Sequence, residues 1–231
     1  MRNLEKLEVG IIDFGISNIT SVANAFQKIG FTCHLINEEN HDFAADILVL
    51  PGVGNFGYLA AQLKVSKLKE RILSHYNKGL PIIGICLGMQ ILFERSDESP
   101  SSKGLGLISG EVRKLISEES EIVRRSVPNI GYNLVNTLAE KPISLTLNTD
   151  SLSGYYYFLH SYAVFDCLED TELQGFTEFS DKQFVSFFLR KNLCGIQFHP
   201  ERSGEKGLYF LDQIMEHFEQ RAAGFVSSKV F

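Results

Sequence analysis

Between Glu8 and Gly88 short β-branched runs alternate with stretches of helical periodicity, and few arrangements other than successive βαβ units can bury such a chain. Val9 to Asp13 reads as a first buried strand. After a turn over residues 14–17, Ile19, Val22, Ala23, Phe26 and Ile29 share one face at 3.6-residue spacing, and Gly30 stops the helix. Thr32 to Ile36 and Ile47 to Leu50 follow as strands, the second closed by the turn Pro51-Gly52-Val53-Gly54. A helix over Lys67 to Lys78 ends at Gly79 and leads into Pro81 to Ile85, apolar on both faces and therefore a central strand. Beyond about Asp97 the segments GEVRKL, VPNIGYN, YYYFLHSYAVF, FVSFFLR and CGIQFHP extend the same core as antiparallel or mixed sheet. Leu208, Leu211, Ile214, Met215 and Phe218 mark a closing helix. The pattern predicts an α/β fold with an open mixed, mostly parallel sheet flanked by helices. The expected division is a single domain over 1–220 with a frayed tail at 221–231, and a hinge near residue 100 is the alternative.

Composition narrows the function. The chain carries 22 Lys+Arg against 28 Asp+Glu, a formal charge of −6 over 231 residues. Without a basic cluster it is not expected to bind nucleic acid, because phosphate neutralisation needs a positive face. No apolar run approaches the ~20 residues of a membrane helix, and the N-terminus lacks the pattern of a signal peptide. The expectation is therefore a cytoplasmic protein with no membrane association. Cys33, Cys86, Cys167 and Cys194 are widely spaced with no CxxC pair, which speaks against a disulfide framework and against a zinc cluster. No metal and no cofactor are expected, since neither a ligand cluster nor a GxGxxG or GxxxxGK[ST] loop occurs.

The strongest local signal is Gly84-Ile85-Cys86-Leu87-Gly88 at the end of the central strand. It has the form of a nucleophile elbow with cysteine in place of serine: a turn so tight that side chains at the two flanking positions would collide with neighbouring backbone. A following helix would place the thiol at its N-terminus, where the dipole favours thiolate, and the N–H of Leu87 could donate to an oxyanion. A buried structural cysteine beside packing glycines is the bland alternative. A thiolate needs a proton shuttle held by a third group. In Gln197-Phe198-His199-Pro200-Glu201, an extended backbone would point His199 and Glu201 the same way, so that the carboxylate orients the imidazole. His34, His41, His75 and His217 lack such a partner, and His160 follows an aromatic run that is either sheet core or pocket wall. The Pro51-Gly52-Val53-Gly54 turn either completes an oxyanion hole or is an ordinary βα turn. Gln90, one helical turn past Cys86, faces the same cavity or covers the helix surface.

These residues, in this order, resemble the class I, triad-type glutamine amidotransferases, and within them the glutaminase branch of imidazole glycerol phosphate synthase. The likeness spans about Val9 to Gln220 through the blocks IIDFGISNITSV, LVLPGVGNF, IIGICLGMQILFERSDE, KGLGLISGEV, YYYFLHSY and GIQFHPERSGEKG. The resemblance implies a flavodoxin-like amidotransferase fold and a glutaminase in which Cys86 attacks the side-chain amide of L-glutamine while His199, oriented by Glu201, carries the proton. It also implies oxyanion donors at Val53, Gly54 and Leu87, with Gly52, Gln90, Glu94, His160, Ser161 and Tyr162 near the bound glutamine. Ammonia would pass through a tunnel to a (βα)₈-barrel cyclase or synthase partner in a heterodimer serving histidine biosynthesis. Two stretches depart from the pattern: Phe14-Gly15-Ile16-Ser17-Asn18 replaces a YGMGN-like turn, and Pro128-Asn129-Ile130-Gly131-Tyr132-Asn133 replaces P-H-M-G-W-N. Such drift suits a paralogue that feeds a related synthase in amidated-sugar or surface-polysaccharide biosynthesis as the alternative pathway. Three further readings stay open: another hydrolase on the elbow fold, a non-catalytic regulatory subunit, and the glutaminase of pyridoxal phosphate synthase.

Overall fold

A computed structural model describes residues 7–15, 18–115, 127–139, 147, 149–166, 168–180 and 182–227. The chain opens with strand β1 (Val9–Ile12), helix α1 (Ile19–Lys28), and strands β2 (Cys33–Ile36) and β3 (Ile47–Gly52). Helices α2 (Phe56–Val65) and α3 (Lys67–Asn77) precede β4 (Ile82–Cys86), which runs directly into the one-turn helix α4 (Leu87–Gln90). Strands β5 (Phe93–Ser96), β6 (Ile108–Lys114) and β7 (Asn129–Ala139) follow, then the single turn α5 (Thr149–Leu152), β8 (Gly154–His160) and β9 (Tyr162–Ala163). Strands β10 (Leu173–Phe179), β11 (Lys182–Arg190) and β12 (Leu193–Ile196) lead through a 3₁₀ turn at Pro200–Arg202 into α6 (Gly204–Ser227).

Nine strands form one sheet in the order β2-β1-β3-β4-β12-β11-β10-β7-β8, and β5, β6 and β9 form a small second sheet. The first five in that order are mutually parallel, and from β12 onward each neighbour is antiparallel. This is the mixed α/β sheet that the sequence pattern predicts. Side chains of successive residues leave a strand on opposite faces, so a strand apolar throughout must be covered twice. In β4, Ile83 and Ile85 join Phe26, Phe210 and Phe218 from α1 and α6, whereas Ile82 joins Leu59, Leu63 and Ile72 from α2 and α3. No helix among the described residues is long and apolar enough to cross a membrane.

Several elements differ from the sequence expectation. The sequence pattern marks no helix at α2: Phe56, Leu59, Ala60 and Leu63 do form a buried stripe, but Tyr58 and Val65 are exposed and blur it. The Asn55 side chain starts this helix by accepting from the Tyr58 N–H at 3.0 Å. Strand β10 was likewise unmarked. Helix α4 stops after four residues because the chain turns back as β5, so the helix dipole behind Cys86 is that of a single turn. Helix α6 continues through Ser227, past the expected tail boundary at 221, and residues 228–231 lie outside the described residues, as do residues 16–17 of the first divergent turn.

Candidate active site

Strand β4 carries Cys86 to the C-terminal edge of the sheet, where βα turns converge. Its backbone takes φ 54° and ψ −109°, a conformation a non-glycine residue holds only under strain imposed by its surroundings. The flanking glycines are the condition for that turn. A Cβ on Gly88 would lie 1.6 Å from the Leu50 carbonyl oxygen, and one on Gly84 would lie 2.5 Å from the Gly88 oxygen. The expectation of backbone collision at both flanks is met atom by atom. Gly52, at the end of β3, is paired in register with Cys86 and buried.

The next parallel strand, β12, delivers His199. Its backbone is pinned from β8, with its N–H donating to the Tyr157 carbonyl at 2.8 Å and its own carbonyl accepting from Ser203 Oγ at 2.7 Å. The segment does not stay extended as the sequence suggests. Pro200 begins a 3₁₀ turn in which the Arg202 N–H donates to the His199 carbonyl at 3.0 Å. The turn still sets the two side chains together, and His199 Nδ1 donates to Glu201 Oε1 at 2.8 Å with both groups buried. Nδ1 being engaged, Nε2 is the ring nitrogen left for Cys86. Burial alone would drive the proton off His199, but the negative charge and hydrogen bonding of Cys86, then Glu201, outweigh it and hold the imidazolium up to about 10. The other described cysteines, Cys33 and Cys194, are free thiols that burial pushes up, to about 11 for Cys33.

Cys86 opens onto a cavity of about 200 Å³ lined by Val53, Gly54, Leu87, Gln90, Glu98, Pro128, Leu159, His160, Ser161 and Tyr162. Larger surface clefts of about 430 and 450 Å³ elsewhere contain neither Cys86 nor His199. Of the residues that the sequence suggests near a bound substrate, Val53, Gly54, Leu87, Gln90, His160, Ser161 and Tyr162 therefore share one wall system. Glu94 does not join them. Its spacing from Gln90 would stack the two on a continuing helix, but α4 ends at Gln90, and Glu94 is exposed on β5, accepting weakly from the Gly110 N–H at 3.4 Å. The carboxylate that does line the cavity is Glu98, which accepts from the Phe56 N–H at 2.6 Å. Glu98, Pro128 and Leu159 had no local signal, because loop closure and strand register bring them in. His160 is buried wall rather than plain core, its Nδ1 donating to the Tyr162 carbonyl at 2.9 Å. Of the remaining histidines, His75 bonds the Pro81 carbonyl and His217 faces Glu172, both away from Cys86.

A strained cysteine, a histidine and its carboxylate, and a half-open cavity of mixed polarity at adjacent strand ends form the arrangement of a thiol-dependent acyl-transfer site. Residues 10–216 match the family model for glutamine amidotransferase class I. The chain belongs to that family. Its relatives include the imidazole glycerol phosphate synthase subunit HisH of Bacillus subtilis (strain 168), 35% identical over 206 residues, which is 89% of this chain and 94% of that one. The HisH subunit of Methanocaldococcus jannaschii is 37% identical over 214 residues, 90% of this chain and 98% of its own length. Among solved structures, a glutamine amidotransferase superposes with a TM-score of 0.66 at 16% identity, covering 90% of this chain and 97% of the other. PurLQS from Thermotoga maritima does so with 0.66 at 19%, covering 92% and 99%. At such identities the superpositions speak to the fold alone.

Proposed function

We propose that this amidotransferase is the glutaminase subunit of an imidazole glycerol phosphate synthase, hydrolysing L-glutamine and passing ammonia to a cyclase partner for histidine biosynthesis. The observation that carries the reading is the buried His199–Glu201 pair interacting with Cys86, which opens onto the cavity, in a chain similar to HisH subunits over nine-tenths of its length. In this mechanism Cys86 Sγ bonds to the glutamine side-chain carbonyl carbon, and the oxygen gains charge. The N–H groups of Leu87 and the Val53–Gly54 turn stabilise that oxyanion. Collapse breaks the C–N bond while His199 gives its proton to the departing nitrogen, leaving ammonia and a γ-glutamyl thioester. A water then loses a proton to His199, attacks the thioester carbon and frees glutamate, with the sulfur as leaving group. Glu201 keeps the imidazole in one tautomer throughout. The sequence uses thiolate, imidazole, carboxylate and water, and it draws on no cofactor.

Ammonia made here needs an acceptor, and the surface beside the cavity suits a protein partner that carries one. Outward-facing Ile130, Tyr132 and Leu134 of β7 stand opposite Leu159, Tyr157 and Tyr155 of β8. Ile130 is 58% and Tyr155 62% exposed, and Leu159 also lines the cavity. A bare apolar ladder contiguous with a reaction site fits a protein partner. We take that partner to be the (βα)₈-barrel cyclase, with the ammonia tunnel leading from Cys86 into it. The deciding experiment mixes the chain with the histidine-pathway cyclase of the same organism, with and without the cyclase's nucleotide substrate, and follows glutamate release. Strong stimulation is the expected outcome. Hydrolysis that responds only to a synthase of another amidation route would overturn the pathway while keeping the chemistry.

A further inference from the structure

Gln197 is fully buried on the segment that links β12 to His199, and its amide is used at both ends. Its Nε2 donates to Cys86 Sγ at 3.7 Å, while its Oε1 accepts from Gln90 Nε2 at 3.0 Å. That orientation is imposed from outside. The Tyr162 carbonyl can only accept, so the group Gln90 turns to it, at 2.9 Å, is its NH₂, and the second proton of that NH₂ goes to Gln197. A reversed Gln197 would set two NH₂ groups against each other. The same carbonyl takes the His160 Nδ1 proton, leaving His160 Nε2 to accept from Asn129 Nδ2 at 3.0 Å; Asn129 Oδ1 in turn accepts from Asn133 Nδ2 at 3.0 Å. Burial, opposed by the Tyr162 bond and reinforced by the charge of His199, lowers the His160 pKa to about 4, so this link stays neutral with one fixed tautomer.

We propose that Gln197 is a positioning residue that holds the Cys86 sulfur in its thiolate form and aims it, its own amide being fixed by the chain of hydrogen bonds through Gln90, the Tyr162 carbonyl, His160 and Asn129. The sulfur has two neighbours of opposite preference. The Leu159 carbonyl, 3.8 Å away, accepts and therefore favours the thiol, whereas the Gln197 NH₂ donates and favours the charged form. The imidazolium of His199 supplies charge and one donor for the thiolate, and the Gln197 NH₂ is a second, neutral donor on Sγ whose direction the hydrogen-bond chain fixes. The chain of bonds starts on β7 at Asn129 and Asn133, between the exposed Ile130, Tyr132 and Leu134. This inference rests on Cys86 being the nucleophile.

The test is the pH dependence of Cys86 alkylation by iodoacetamide in the full chain, with Cys86→Ala giving the background from the other three thiols. Other titratable groups near the site are His199 and Glu201 beyond β12, His160 on β8 and Glu98 in the loop after β5, and all are kept. Gln197→Met, similar in length but without the donor, is expected to raise the alkylation midpoint by about one pH unit. Gln197→Glu keeps an acceptor for Gln90 but sets a carboxylate beside the sulfur, and should raise it further. A purely structural Gln197 would lower the melting temperature of both variants and leave the midpoint in place, which overturns the proposal. Should the variants not fold, the side-chain NH₂ resonances of Gln197 in the unaltered chain must track the Cys86 titration, and resonances that ignore it also overturn the proposal. Failure of the unaltered chain to hydrolyse glutamine with any partner would instead strike at the glutaminase reading.

Discussion

The two halves of the large sheet solve different problems. In the parallel half, β1, β3, β4 and β12 are buried along their whole length, sealed by α1 and α6 on one face and by α2 and α3 on the other. In the antiparallel half, β7 and β8 bury Val135, Tyr156, Phe158 and His160 but leave the alternate positions exposed on β7 and partly exposed on β8. The proposed reacting groups, Cys86 and His199, leave adjacent strands of the sealed half, where close packing prevents a strained residue from relaxing. The bare half contributes a cavity wall and a surface. On the proposed reading, chemistry sits where the backbone is most constrained, and recognition on the more exposed face of the sheet.

The largest effect in the sealed half should come from Cys86→Ala. The substitution removes only the sulfur and keeps a Cβ at the same φ, so the fold should hold. Glutamate release with the cyclase partner is expected to fall on the order of 10⁴-fold or more, while ammonia-supported synthesis by the partner persists. Residual glutaminase at a tenth of the original rate would remove Cys86 from the mechanism.

Gly88→Ala breaks the same half through packing. With the Leu50 oxygen 1.6 Å from the new Cβ and belonging to backbone of a buried strand, β3 and β4 must part or the elbow must open. A loss of about 4 kcal/mol or more, in the range of the most severe point mutations, is expected in denaturant titrations. A variant that unfolds within 1 kcal/mol of the original would show that the elbow is held less tightly than the contacts require.

Legibility in the sequence follows the same division. The elbow and the His199–Glu201 pair could be read because each is local: glycines two residues either side of a cysteine, a carboxylate two residues past a histidine. Helix α2 is hard to read because its exposed Tyr58 and Val65 hide the stripe, and Glu94, suggested by the resemblance alone, lies on β5 outside the cavity lining. Glu98, Leu159 and the Asn129–His160 contact depend on register between segments far apart in the chain, here Asn129 opposite His160 across β7 and β8. Periodicity carries no information about such pairings. The resemblance to the amidotransferases supplied His160, Ser161 and Tyr162, which pattern alone left ambiguous.

A smaller loss is expected from Glu201→Gln. The imidazole keeps a neutral partner but loses the charge that fixes its tautomer and supports its proton, so glutamine turnover should drop about 10²-fold. The pH dependence of stability gives a second reading. With the folded-state pKa of His199 raised to about 10, by Cys86 first and Glu201 second, and the unfolded value near 6.5, charged His199 stabilises the fold fully below about pH 6.5, and this stabilisation, the Glu201 share included, fades as pH climbs toward 10. The stability gap between the original chain and Glu201→Gln should therefore be widest near pH 6 and close by pH 10. A gap that widens with rising pH would contradict the charge arrangement.

The bare half is probed last, by substitutions that should leave the isolated chain unchanged. Ile130 and Leu138 project from the same face of β7 and are about equally exposed, at 58% and 57%. They differ in place. Ile130 stands opposite Leu159 at the cavity mouth, whereas Leu138 lies eight residues along the strand, opposite Gln174 of β10. If the partner seats over the cavity to collect ammonia, Ile130→Ser should weaken its binding about tenfold, and Leu138→Ser by less, with both variants within ~0.5 kcal/mol of the original stability. Isothermal titration of the cyclase into each variant measures the difference. Equal losses would place the footprint along the whole of β7, and a larger loss at Leu138 would move the partner away from the cavity and leave the ammonia without a covered exit. Because neither side chain touches Cys86, His199 or Gln197, glutaminase at saturating partner should be the same in both variants, which separates the docking of this face from the chemistry of the other.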